Sequence, residues 1–137
     1  LSSAINLEYI RRICPKTKLV TPLDIYKKIA RNYKALMIWA ANGQCLETIE
    51  KIFYDANPSI HIMVISMLPV IYDIENQQPA DLIVKRYNLA GFLTFEAKLE
   101  GLVLGCTHLP YLKPVLEQKT SIPIIDPAEI MLQELLV

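Results

Sequence analysis

The amino-acid sequence predicts an α/β fold built on a parallel sheet. Three observations carry this. First, short apolar runs recur: ALMIWA at 35–40, SIHIMVISML at 59–68, GLVLG at 101–105 and IPIID at 122–126. Their length and their aliphatic content suit strands buried on both faces. Second, amphipathic stretches of helical length lie before, between and after them. Third, the breaks between runs are turn-formers, Asn42-Gly43 and the polar ENQQP at 75–79. Strands that alternate with helices in this way form βαβ units and a parallel sheet.

Taken in order, residues 3–13 read as a helix. Ser2 or Ser3 caps it, Ala4, Leu7, Ile10 and Ile13 share a face, and Pro15 follows its end. TKLV at 17–20 reads as a short strand. The segment from Thr21 to Tyr33 carries the start signals of a second helix: Thr21 as N-cap, Pro22 at the first helical position and Asp24 three residues after the cap. ALMIWA is the first clear buried strand. Beyond Asn42-Gly43, CLETIEKIFYDA sets Leu46, Ile49, Ile52 and Phe53 on one helical face. SIHIMVISML reads as a second buried strand. No single pattern runs through 81–99. GLVLG is the third strand, LPYLKPVLEQ opens a short helix, IPIID is the fourth strand, and PAEIMLQELL is a closing helix with Pro127 in its first turn.

The totals exclude several functions. Of 137 residues, 53% are hydrophobic and 20% charged, with 14 basic and 14 acidic side chains and a net charge of zero. No basic stripe exists to follow a nucleic-acid backbone. No apolar run approaches the ~20 residues that span a bilayer, so no membrane partner is expected. The N-terminus lacks the basic-then-apolar layout of a signal peptide, and the chain begins at Leu1, so a preceding piece is expected. Three widely spaced cysteines, Cys14, Cys45 and Cys106, fit reduced thiols in the cytosol rather than a disulfide framework. Without a CxxC pair, and with His61 and His108 far apart, no zinc site is expected.

The chemistry collects at two strand ends. Ligands of open α/β sheets bind beyond the carboxyl ends of strands. One such end reads Ala-Ala-Asn-Gly (40–43), the other Gly-Cys-Thr-His (105–108). Gly105 allows a sharp turn and close approach to a ligand. Thr107 supplies a hydroxyl, and the backbone N–H groups there suit a carboxylate. His108 beside Cys106 favours the thiolate, which serves as a base or a nucleophile. The plainer reading is that a strand-end Cys is packing. Cys14 and Cys45 fall in helical patterns and read as packing residues, His61 as a core or edge histidine, and Trp39 as core. A cysteine-nucleophile hydrolase would need a His positioned against Cys106 by an Asp or Asn. His108 is two residues away, and such neighbours seldom give that geometry.

The string LVLGCTHLPYL (102–112) closely resembles the second cysteine motif of the glutamate racemases, within the aspartate/glutamate racemase family. Weaker likenesses follow in the same order. LSSAINLEYIRRICPKTKLV resembles the family's first helix and next strand. IYKKIARNYKALMIWAANGQ resembles the helix and strand that carry the first cysteine motif. SIHIMVISMLPVI and IPIIDPAEIMLQELL resemble the next strand and the closing strand and helix. The resemblance implies a two-lobed parallel-sheet sandwich with the active-site cleft between the lobes. One lobe would take 1–68 plus 115–137, and the other 69–114.

It also implies a cofactor-independent racemase with no metal. Two cysteines on opposite faces of an α-carbon would exchange its proton, interconverting L- and D-glutamate or, alternatively, aspartate. The setting it implies is a cytoplasmic homodimer that supplies D-glutamate for peptidoglycan. Cys106 falls on the second catalytic cysteine, His108 on a neighbour that assists proton transfer, and Thr107 and Asn42 on substrate-contacting positions. The sequence departs from the family at the first motif. Ala41 stands where the first cysteine belongs, and Gly43 where the motif has Thr. A methyl group cannot accept a proton, so a racemase lacking one base, or a non-catalytic ligand-binding relative, follows. Cys45, four residues on, is the remaining thiol near that end. The family carries more residues between Val20 and Thr21 and around 77–99, so a longer chain with segments missing there is expected.

Overall fold

The computed structural model describes residues 6–94 and 98–137. Two readings reach beyond them: the Ser2 or Ser3 cap of the first helix, and residues 95–97 within the segment without a single pattern. The described elements are α1 (Leu7–Ile13), α2 (Pro22–Asn32), β1 (Ala35–Ala40), α3 (Gly43–Ala56), β2 (His61–Ser66), α4 (Leu68–Glu75), α5 (Ala80–Arg86), β3 (Gly101–Leu104), α6 (Lys113–Glu117), β4 (Ile124–Ile125) and α7 (Pro127–Leu136). Two 3-10 turns, Leu89–Leu93 and Leu109–Leu112, complete them.

The caps explain where several helices start. Thr21 accepts the Asp24 N–H and Pro22 opens α2, as the sequence predicts. Asn42 accepts the Cys45 N–H at the start of α3, and Asp126 accepts the Ala128 N–H at the start of α7. Asn6 caps α1 through the Tyr9 N–H. No residue of α1 is buried, and Cys14 at its end is exposed rather than packed.

The four described strands form one all-parallel sheet in the order β2-β1-β3-β4. Side chains alternate across it. Leu36, Ile38, Ala40, Val103 and Ile125 meet α2, α3 and α7 on one face, around Ile25, Ile29, Ile49 and Phe53. Met37, Trp39, Leu102 and Leu104 meet α4, α5 and the 3-10 turns on the other. Trp39 is core, as expected, although its Nε1 has no hydrogen-bond partner.

Three expectations change. TKLV forms no strand; Val20 packs against the α2–α3 core without joining the ladder. β2 is shorter than its apolar run and lies at the edge of the described sheet, so its residues are exposed or half-buried and none is fully buried. His61 is the exposed first residue of that edge. Third, the expected lobe boundary after residue 114 falls between β3 and β4, which pair directly through Leu102–Ile124 and Val103–Ile125. Strands from both sides of that boundary therefore belong to one sheet. The unpatterned segment after Gln77 contains α5 and a 3-10 turn, whose Ile83, Val84, Leu89 and Leu93 cover the second face.

Candidate active site

The strand order reverses at β1. The chain leaves β1 toward β2 on one side and returns as β3 on the other. Such a switch point leaves a crevice at the carboxyl ends of the two central strands. β1 and β3 pair with Trp39 opposite Leu104. Extended by two residues, that register sets Ala41 beside Cys106.

A cleft of about 280 Å³ opens there, lined by Ala41, Cys45, Gly105, Cys106 and Thr107, with Tyr26 from α2, Asp126 from the β4–α7 turn and Met131 from α7. It opens at the carboxyl ends of the central strands of the single described sheet.

The loop after β3 holds the reactive groups. Gly105 donates its N–H to the Trp39 carbonyl at 2.7 Å. A Cβ on Gly105 would lie 2.9 Å from that carbonyl oxygen and 3.0 Å from Ile49 Cδ1. Glycine is therefore needed for close approach to β1 rather than for the sharp turn read from sequence; no glycine here has positive φ. Cys106 follows, half-buried, with Sγ 3.5 Å from His108 Nδ1. His108 Nε2 in turn lies 3.2 Å from Glu75 Oε1, at the end of α4. The three groups form a chain: thiol, imidazole, carboxylate. The neighbouring positions 106 and 108 thus do bring thiol and imidazole into contact, with His108 the residue that opens the 3-10 turn. Glu75 was not singled out by sequence reading, and nothing local marks it; only the fold brings it to His108. Both partners of the His108–Glu75 pair are more than a third exposed, so solvent weakens it.

The first strand end is different. Ala41 lines the cleft, and its methyl offers no proton chemistry. Asn42 is exposed and its side chain is engaged in capping α3. Asn42 and Gly43 do not line the cleft, whereas Thr107 does. Cys45, read as packing, is half-buried and also lines it.

Tyr26 is 3% exposed. Burial first, then Cys106, Cys45 and Asp126, push its hydroxyl pKa up to about 12. Among the described residues no cluster of three or more His, Cys, Asp or Glu side chains is arranged to hold a metal ion. No helix among them is long and apolar enough to cross a membrane.

A scan against protein-family models finds no match, and a search of curated proteins finds none either. Solved structures do match. A glutamate racemase from Francisella tularensis subsp. tularensis SCHU S4, in complex with D-glutamate, superposes with a TM-score of 0.70 at 21% identity, over 98% of this chain and 53% of that one. A glutamate racemase isoform from Bacillus anthracis gives 0.63 at 18% identity over the same shares. The chain thus spans about half the length of these structures. At these identities the likeness is one of fold: the chain has a glutamate racemase-like α/β fold.

Proposed function

We propose that this chain carries one half of an amino-acid proton-transfer site, with Cys106 as its base, acting on the α-proton of glutamate. The observation that carries the reading is Cys106 on the lining of the switch-point cleft, backed by His108 and Glu75 in a chain of contacts, in a glutamate racemase-like fold. An α-proton is a very weak acid. Its removal needs a thiolate at close range and donors that stabilise the developing negative charge. His108 Nδ1 lies within proton-exchange distance of the Cys106 sulfur, while Glu75 holds the imidazole from Nε2. Thr107 offers a hydroxyl to the ligand.

Inversion needs a second proton donor on the opposite face. Ala41 has none, so the chain as it stands exchanges the α-proton on one face and retains configuration. The same reading extends to the larger protein this chain resembles: a cofactor-independent racemase, cytoplasmic and homodimeric, that supplies D-glutamate for peptidoglycan. Aspartate is the alternative substrate.

The test is incubation with L-glutamate, and separately L-aspartate, in D2O, followed by NMR for α-proton loss and by chiral chromatography for inversion. Exchange with retention is expected. Ala41→Cys should add inversion. Inversion by the unaltered chain that disappears in Cys45→Ala would make Cys45 the second base. Absence of exchange, of amino-acid binding and of rescue by Ala41→Cys would leave a fold relative without this chemistry.

A further inference from the structure

Two side chains on the cleft are more polar than their structural duties require. Tyr26 packs its ring against Phe53, centroids 5.9 Å apart, a task phenylalanine would perform. Its hydroxyl has no hydrogen-bond partner among the described residues. Tyr26 is 3% exposed and lines the cleft, and its hydroxyl is not among the polar atoms sealed in the core without a partner. What little surface it keeps therefore opens to the cleft.

Asp126 is 8% exposed. Its Oδ1 accepts the Ala128 N–H at 2.9 Å, a capping task that Asn or Ser performs equally well. Its Oδ2 has no partner among the described residues. Buried polar groups are normally paired. Neither of these two atoms is sealed from solvent, and both belong to nearly buried residues that line the cleft with Cys106, so a polar occupant with both a hydrogen-bond acceptor and a donor would pair them.

We propose that Tyr26 and Asp126 are ligand-binding residues of this cleft: the Tyr26 hydroxyl donates to the carboxylate of an amino acid, and Asp126 Oδ2 accepts from its ammonium. Held at both groups, the α-carbon has one orientation left to turn its hydrogen toward Cys106. The proposal rests on the amino-acid reading above. The Tyr26 hydroxyl is protonated at neutral pH and so is free to donate. No sequence pattern marks either residue, since Tyr26 lies on the packed face of α2 and Asp126 has the signature of a cap.

The experiment measures binding of L-glutamate, glutarate and 4-aminobutyrate to the full chain and to Tyr26→Phe and Asp126→Asn, both of which keep shape and cap. Glutarate lacks the ammonium; 4-aminobutyrate lacks the α-carboxylate. Tyr26→Phe should weaken glutamate about tenfold or more and spare 4-aminobutyrate. Asp126→Asn should weaken glutamate by a similar factor and spare glutarate. Equal weakening of all three probes, or none, overturns the proposal. Failure of the unaltered chain to bind glutamate at all overturns the amino-acid reading and this proposal together. Binding that both variants retain overturns this proposal alone.

Discussion

The carboxyl ends of β1 and β3 are neighbours in one sheet, and they have opposite characters. At β3 the backbone turns through Gly105 into a thiol, a hydroxyl and an imidazole, and the imidazole reaches a carboxylate on α4. At β1 the corresponding residues are a methyl group and an asparagine whose side chain caps a helix. The two ends share a ladder, so they are held at similar distance from whatever occupies the cleft. One end carries a thiol and an imidazole in contact, and the other carries no titratable side chain on the cleft at the matching position. A two-sided reaction needs chemistry at both ends, whereas a ligand needs only the space between them.

Four experiments press on this contrast. Cys106→Ser should have the largest effect, cutting α-proton exchange by on the order of 10²–10⁴-fold, the range for loss of a positioned base; unchanged exchange would break the assignment of β3 as the active end. Gly105→Ala comes next. Its methyl would meet the Trp39 carbonyl oxygen at 2.9 Å, and overpacking of this kind costs about 1–3 kcal/mol. A lowered melting temperature together with weaker ligand binding is expected, because the same contact joins the two strand ends. Asn42→Ala tests the β1 side. Loss of the cap should cost about 1 kcal/mol of stability by denaturant titration while exchange per folded molecule stays constant; a collapse of exchange would give Asn42 a role at the ligand. The smallest effect belongs to Glu75→Gln. An exposed pair contributes up to about 1 kcal/mol, so exchange should fall by no more than roughly fivefold, and the difference should shrink as salt screens the pair.

The same contrast explains what could be read from sequence. The elements on the α2–α3 side were legible because local rules act within a few residues: Thr21-Pro22 before α2, Asn42-Gly43 before α3 and Asp126-Pro127 before α7 all mark their helices. β2 was legible as a strand but not as an edge. An apolar run reports β propensity, and its place in the sheet depends on which other strand lies next to β1. The segment 80–93 was illegible because its helical pieces are short and are stabilised by packing on Met37, Trp39 and Leu104 rather than by their own periodicity.

For the site, the residue string 105–108 pointed by itself to Cys106 and His108, while only the family resemblance marked Ala41 as standing where that family has a cysteine. Those are properties of side-chain identity and survive any fold. The tertiary structure decided the rest. It added Glu75 to His108, moved Cys45 from packing to the cleft, and took Asn42 and Gly43 away from it. It also turned Tyr26 and Asp126, an interior helix residue and a cap, into two unpaired groups facing the same space. The physical reason is that chemistry at a cleft depends on distances of a few ångströms between elements far apart in the chain. Local propensity determines which elements form, but their distances are set only when the β1–β3 crossover and the packing of α2, α4 and α7 bring the strand ends together.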